Sequence, residues 1–402
     1  MYQNLAILAG FVFLYSITSG GLKRTPISGA ILFTAFGLAS GPVGLGLLNL
    51  HIGREGLNIF AELTLALLLF TDAANADLGV LKHSYTIPRR LLLVGLPLTI
   101  LLGFGVGVLL FPQLTLLEIA IVATMLAPTD AALGSAVVSD KSVPANIREG
   151  LNVESRLNDG ICVPILFLFL ALATGSNVGE SNTMFALKLV AQAIGIGVIV
   201  GVGLTLLGAW LLSQAAKRRW VTETWIQLPV MALAVACFAL AQQFDGSGFI
   251  ACFTGGLLFG GIAKQHKHSL LLAAEGIGHT LSLITWVVFG AVAVGQFIVH
   301  VSWEIVLYGV LSLTLVRMVP VLMALTGLNL PVSEKLFMGW FGPRGLASIV
   351  FAVIVINQNL PGGNTITITV VCTILLSIVA HGLSANPLVA ALGARLKRSG
   401  SN

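Results

Sequence analysis

The chain has 402 residues, 56% hydrophobic and only 9% charged, with 21 Lys plus Arg against 16 Asp plus Glu and a formal net charge of +5. Soluble domains carry charge on about a quarter of their residues, so a mean hydropathy of +0.98 reads as an all-α integral membrane protein with no room for a soluble regulatory domain. A pI near 9.2 would suit a nucleic-acid binder, but the basic residues are spread over short loops rather than one face, which argues against that partner.

At about 20 apolar residues per crossing, the pattern predicts about 13 transmembrane helices, at roughly 4–20, 26–50, 58–80, 90–111, 117–138, 147–174, 185–213, 224–243, 247–263, 269–298, 302–327, 335–357 and 364–392. No Lys or Arg precedes the first apolar run and no small-residue cleavage site follows it, so a retained helix is expected rather than a signal peptide. Most Lys and Arg fall in loops on one side, whereas Arg54 and Lys188 lie on the other. By the positive-inside rule the richer side is cytoplasmic, with the N-terminus outside and the C-terminus cytoplasmic. If the seventh helix is a linker, helices 1–6 and 8–13 cross in opposite senses, the inverted-repeat plan of many secondary transporters.

The third helix contains LLLFTDAANADLGVLK. Asp77 is expected at the interface, while Asp72 is either a gate or pathway group or half of a helix-packing ion pair. The fifth contains LAPTDAALG, where Pro128 removes a backbone bond just before Thr129 and Asp130.

The sixth runs NIREGLNVESRLNDGICVPILFLFLALATG. It stacks Glu154 over Asn158 and Ser155 over Asp159, one turn apart on neighbouring ridges, with Arg156 nearby. Ionisable groups inside a bilayer are costly, normally face a water-filled cavity and mark an ion or proton path. The alternative is a polar patch that only joins helices.

Further along, Glu275 and His279 have i,i+4 spacing suited to a hydrogen bond, but two residues are too few for a metal site. Arg317, in LTLVRMVP, suits neutralising a carboxylate or helix end. It is also a possible pathway group. The twelfth helix carries GWFGPRGLAS, with Gly342, Pro343 and Gly345 around Arg344. Interrupted segments at corresponding positions of two halves point to a midplane binding site. At 1.5 Å per residue, Asp159, Arg344 and Asp130 lie roughly 14–20 Å from their helix starts, near the middle of a core about 30 Å thick. Glu62 and His381 read as structural polar groups. Cys162, Cys237, Cys252 and Cys372 fall in apolar spans and read as small buried hydrophobes. The tail ALGARLKRSGSN is too short for a regulatory domain.

A lone buried aspartate can be neutralised by a proton or by a monovalent cation, but not by both at once, and that competition is an antiport mechanism. Asp159 is the expected shared carrier. Asn158, Ser155 and Thr129 can supply hard oxygens in place of part of the ion's hydration shell, with Asp159 and Ser155 as transient sodium ligands. Rocking of helices 4–6 and 11–13 against the rest would expose the site to each side in turn. Asn rather than Asp at 158 favours one-for-one exchange, provided Asp130 and Glu154 keep fixed charges. A cation channel would need a symmetric filter or ring of acids. An intramembrane aspartyl hydrolase would need a GxGD motif, which is missing.

PTD, ESRLNDG and GPRG, in this order and spacing, resemble the cation/proton antiporter superfamily, and most closely its NhaP-type sodium/proton exchangers with an Asn-Asp pair. The resemblance covers essentially the whole chain. It implies unwound, crossed helices 5 and 12, and a cation/proton site made of Asp159, Asn158, Ser155, Thr129, Asp130 and Glu154. It also implies a structural ion pair between Glu154 and Arg344, and places Asp72 at the acidic position of the third helix. The core is expected at about 90–174 and 302–392, and a scaffold at about 4–80 and 185–298. The expectation is a sodium (or lithium)/proton antiporter, with potassium the alternative ion, and no cofactor. A homodimer in membrane lipid is expected, serving pH homeostasis in a prokaryotic plasma membrane. PTDA replaces the commoner PTDP, and Arg156 stands where a small or apolar residue is usual.

Overall fold

The computed structural model describes residues 2–22, 28–48, 54–76, 86–130, 133–134, 137, 140, 142–175, 180–222, 224–264, 267–295 and 300–399. Asp77 lies outside them. The described elements are all helical: α1 Tyr2–Leu22, α2 Gly29–Ser40, α3 Arg54–Asn75, α4 Thr86–Leu110, α5 Leu116–Met125, α6 Ala145–Gly175 and α7 Glu180–Lys217. The second half continues with α8 Leu228–Gln243, α9 Gly248–Ala263, α10 Lys267–Val288, α11 Trp303–Ala324, α12 Val332–Trp340, α13 Leu346–Ile356 and α14 Gly363–Ser399. Eight of the described helices are long and apolar enough to span a bilayer by length and composition.

The helices fall in the order the hydropathy predicts, and the departures have local causes. The second helix, expected to reach residue 50, stops at Ser40. Gly41-Pro42 cannot extend it, and Gly46 at φ 65° folds the chain into a compact turn in which Leu48 N–H donates to Ser40 O at 2.7 Å. The predicted twelfth helix is two pieces, α12 and α13, separated by an extended stretch over 341–345. The fifth is helical only as far as Met125 before the chain straightens into Ala127-Pro128-Thr129-Asp130. By contrast, α6 continues straight through Pro164. In α4, Pro97 has no N–H for the carbonyl of Leu93, and the turn Leu91–Gly95 is wound as a π-helix.

Small residues bring the helices that carry the polar groups close together. A Cβ on Gly256 would lie 2.3 Å from Phe70 O, and one on Gly260 2.2 Å from Ala74 O, so α9 packs directly on the backbone of α3. That contact fixes the last two turns of α3, where Asp72 and Asn75 project. On α6, Gly160 receives the Phe253 ring of α9 in the same way. Large apolar side chains such as Phe13, Leu109 and Ile199 remain exposed, as a lipid-facing surface requires.

Candidate ion-binding site at the helix crossing

The two interrupted crossings meet break to break. Asp130 N–H donates to Pro343 O at 2.7 Å, and Ser348 Oγ donates to Met125 O at 2.7 Å. Each break leaves an open helix end inside the membrane, and each receives a charge from the other. The carbonyls at the end of α5 carry partial negative charge, and Arg344 Nη1 donates to Ala127 O and, at 3.0 Å, to Pro128 O. The N–H groups at the start of α13 carry partial positive charge, and Leu346 N–H donates to Asp130 Oδ2 at 3.0 Å. Gly345 permits this approach, since a Cβ there would sit 2.0 Å from Asp130 Oδ2.

Against this crossing α6 presents its polar residues. Asn158 is buried and donates through Nδ2 to Thr129 Oγ1 at 2.8 Å, and Thr129 Oγ1 is 2.9 Å from Ser155 Oγ. The straightened Thr129 thus ties the break to two ridges of α6. Asp159 is only partly exposed, and both its Oδ1 and Asn158 Oδ1 are buried without a hydrogen-bond partner among the described residues. The Thr129 and Ser155 hydroxyls and the Asn158 amide are held together, and the Asp159 carboxylate follows Asn158 directly in the chain; oxygens of these kinds are the acceptors a small hard cation takes.

The expected pairing of Glu154 with Arg344 is wrong. Glu154 forms a two-pronged ion pair with Arg317 of α11, with Nη1 2.5 Å from Oε1 and Nη2 2.8 Å from Oε2. Both residues are 1% exposed. Arg344 instead gives its Nη1 to the carbonyls of Ala127 and Pro128, while its Nε and Nη2 are buried without a hydrogen-bond partner among the described residues. Arg317 also packs on the break itself, because a Cβ on Gly342 would lie 2.3 Å from its Nε. Arg317, read as a possible pathway group, is instead sealed inside this pair.

A family model described as sodium/hydrogen exchanger, transmembrane, matches residues 10–391. The chain belongs to that family. It is a cation/proton antiporter and not an enzyme. A Na(+)/H(+) antiporter of Schizosaccharomyces pombe is 24% identical over 97% of this chain and 90% of its own. The K(+)/H(+) antiporter NhaP of Alkalimonas amylolytica is 26% identical over 96% of this chain, and the match spans 66% of that longer protein. The sodium proton antiporter MjNhaP1 from Methanocaldococcus jannaschii superposes with a TM-score of 0.78 at 21% identity, covering 97% of this chain and 99% of that one. The likeness establishes the fold.

In this exchanger Asp72 is paired, 3.2 Å from Arg156 Nη1, and Arg156 Nε donates to Asn152 Oδ1 at 3.0 Å. Asp72 and Arg156 line a cavity of about 300 Å³ with Asn75, Glu275 and His279, and Asn75 Nδ2 donates to Glu275 Oε1. Of the two readings left open for Asp72, the ion pair is present, and it borders water-accessible space. His381 is held at both ring nitrogens, Nε2 to Trp340 O at 2.9 Å and Nδ1 beside Ser377 at 3.0 Å from its carbonyl.

Sequence reasoning missed Glu118, which is 2% exposed. It closes a capping box with Thr115 at the start of α5, and its Oε1 accepts the Gly362 N–H at 2.6 Å, joining α5 to the approach of α14. The Thr-x-x-Glu spacing was a legible cap signal, whereas the partner far along the chain was not. Replacing Glu118 by Ala is expected to cost about 1–3 kcal/mol, because it removes a cap and leaves the half-buried Gly362 N–H without its acceptor. A lower melting temperature in detergent checks it, and Glu118→Gln should recover part of the loss.

Proposed function

We propose that this exchanger moves sodium, or lithium, against protons one for one, with Asp159 as the single group both ions share. The observation that carries the reading is the division of labour among the buried carboxylates. Both Glu154 oxygens are taken by Arg317. The Asp130 oxygens accept the N–H groups of Leu346 and Leu133, the latter at 3.4 Å. Those oxygens are thus engaged, while Asp159 keeps a buried oxygen for proton or cation. Asn158, Ser155 and Thr129 would complete the cation shell, with Ser155 and Asp159 as the sodium ligands, so Glu154 and Asp130 act by holding the crossing in shape.

The moving core is residues about 90–174 and 302–392, turning against a scaffold of about 4–80 and 185–298, a division that rests on the rocking of one bundle against another in transporters of this plan. The exchanger works as a homodimer in membrane lipid, in a prokaryotic plasma membrane, with the N-terminus outside and the C-terminus cytoplasmic, and serves pH homeostasis. Potassium is the second reading, favoured by the similarity to a K(+)/H(+) antiporter over 96% of this chain.

With one proton exchanged for one cation, the membrane potential, about 2.3 kcal/mol per charge per 100 mV, neither drives nor opposes turnover. In proteoliposomes at zero pH gradient, a potassium-valinomycin potential is expected to leave sodium-dependent proton flux unchanged. Flux that reverses with the potential would require a second titrating carboxylate. Running the same assay with lithium, and with potassium under a different clamp, identifies the ion.

A further inference from the structure

Arg156 stands three residues before Asp159 on α6, and side chains at that spacing are neighbours on a helix, about 5–6 Å apart at Cβ. The guanidinium therefore has two carboxylates within its reach, Asp72 on α3 and Asp159 on its own helix. Here it is on Asp72 at 3.2 Å and steadied by Asn152, while Asp159 Oδ1 has no hydrogen-bond partner among the described residues. The bridge is not a strong fastener. Its two side chains are 25% and 37% exposed, and an ion pair so open to water contributes little to stability. The tight packing of α3 and α6 is made elsewhere, by α9 against both helices. What the bridge does control is where one positive charge resides, three residues along α6 from the carboxylate that is to bind a cation. The other charged or titratable groups on this cavity are Glu275 and His279 of α10, and Glu275 is engaged by Asn75.

We propose that Arg156 is a positioning residue that sets the cation affinity of Asp159: latched on Asp72 it leaves Asp159 open to the cation, and released it competes with the cation for Asp159. The inference rests on Asp159 as the carrier. Since α3 and α6 belong to the two bodies assigned above, any sliding of one past the other stretches this bridge. Movement thereby lowers the site's affinity and aids release. Arg156 is in effect a cation tethered beside the binding site, with Asp72 as its resting place.

The test uses opposite signs. Sodium affinity is measured twice on the full-length protein, as half-saturating sodium for proton flux in proteoliposomes and as equilibrium binding of radioactive sodium to the purified exchanger. Asp72→Asn frees the guanidinium and is expected to raise half-saturating sodium about tenfold, between the limits for a nearby unit charge in water and in a protein interior. Arg156→Gln leaves Asp72 uncompensated and is expected to lower it. The double variant should return within about twofold of wild type, because the pair is coupled rather than additive, and Arg156→Lys should reverse the effect of Arg156→Gln.

A merely structural contact would weaken binding in both single variants, and that result, or no shift in either, overturns the proposal. If Asp72→Asn does not fold, Arg156→Gln decides by itself, since an unchanged or raised half-saturating sodium overturns it. Sodium binding that survives undiminished in Asp159→Asn would refute the carrier assignment on which the inference rests, whereas the shifts in the Asp72 and Arg156 variants decide the role of Arg156.

Discussion

Replacing Asp159 by Asn is expected to abolish both sodium-driven proton movement and proton-driven sodium uptake in proteoliposomes, down to the level of protein-free vesicles. Asn158 already supplies an amide beside this position, so a second amide is nearly isosteric and adds no buried charge. The variant should fold and melt like the wild type. What it removes is the proposed shared carrier, the carboxylate that keeps a buried oxygen without a hydrogen-bond partner among the described residues, whereas Glu154 and Asp130 are committed to Arg317 and to backbone N–H groups. Thr129→Ala and Ser155→Ala should weaken cation binding while retaining exchange, since each removes a neutral oxygen and not the shared charge. A well-folded Asp159→Asn protein that still exchanges would transfer the carrier role to another carboxylate, and Asp130 would be the first to examine.

The proposed carrier, Asp159, was legible because a charge inside an apolar run is conspicuous. Asp159, Asn158 and the Pro128 and Pro343 breaks all stand out against hydropathy alone, and depth along the helix places them together near the midplane. Partnership was not legible. Glu154 lies 163 residues from Arg317, and periodicity cannot say whether Arg317 or Arg344 meets it. The decision follows from the crossing, because once the carbonyls of Ala127 and Pro128 are left without helical donors they claim Arg344, and Glu154 must be neutralised from α11. The early end of α2 was readable from Gly41-Pro42 and was overridden by the apolar residues that follow. The bridge of Arg156 to Asp72 was out of reach for the same reason as the Glu154 pair. It depends on α9 drawing α3 against α6 through Gly256, Gly260 and Gly160, a tertiary fact with no local signature.

The rearranged pairing makes a quantitative ordering. Arg317→Ala is expected to cost about 3–5 kcal/mol of stability, the usual loss when one partner of a buried ion pair is removed and the other charge is left without compensation. Glu154 is 1% exposed, and water has no ready access to replace the guanidinium. Arg344→Ala removes donors from two carbonyls rather than a counter-ion from a carboxylate, so its cost should be smaller, about 1–3 kcal/mol. Glu154→Leu combined with Arg317→Met removes both charges at similar volume and is expected to recover most of the loss, as buried pairs replaced by apolar groups often do. Thermal unfolding in detergent, with binding of a thiol-reactive dye to the buried cysteines Cys162, Cys237, Cys252 and Cys372 as the readout, ranks the variants. Arg344→Ala ranking below Arg317→Ala in stability, with the double variant no better than either Glu154→Leu or Arg317→Ala alone, would return Glu154 to Arg344.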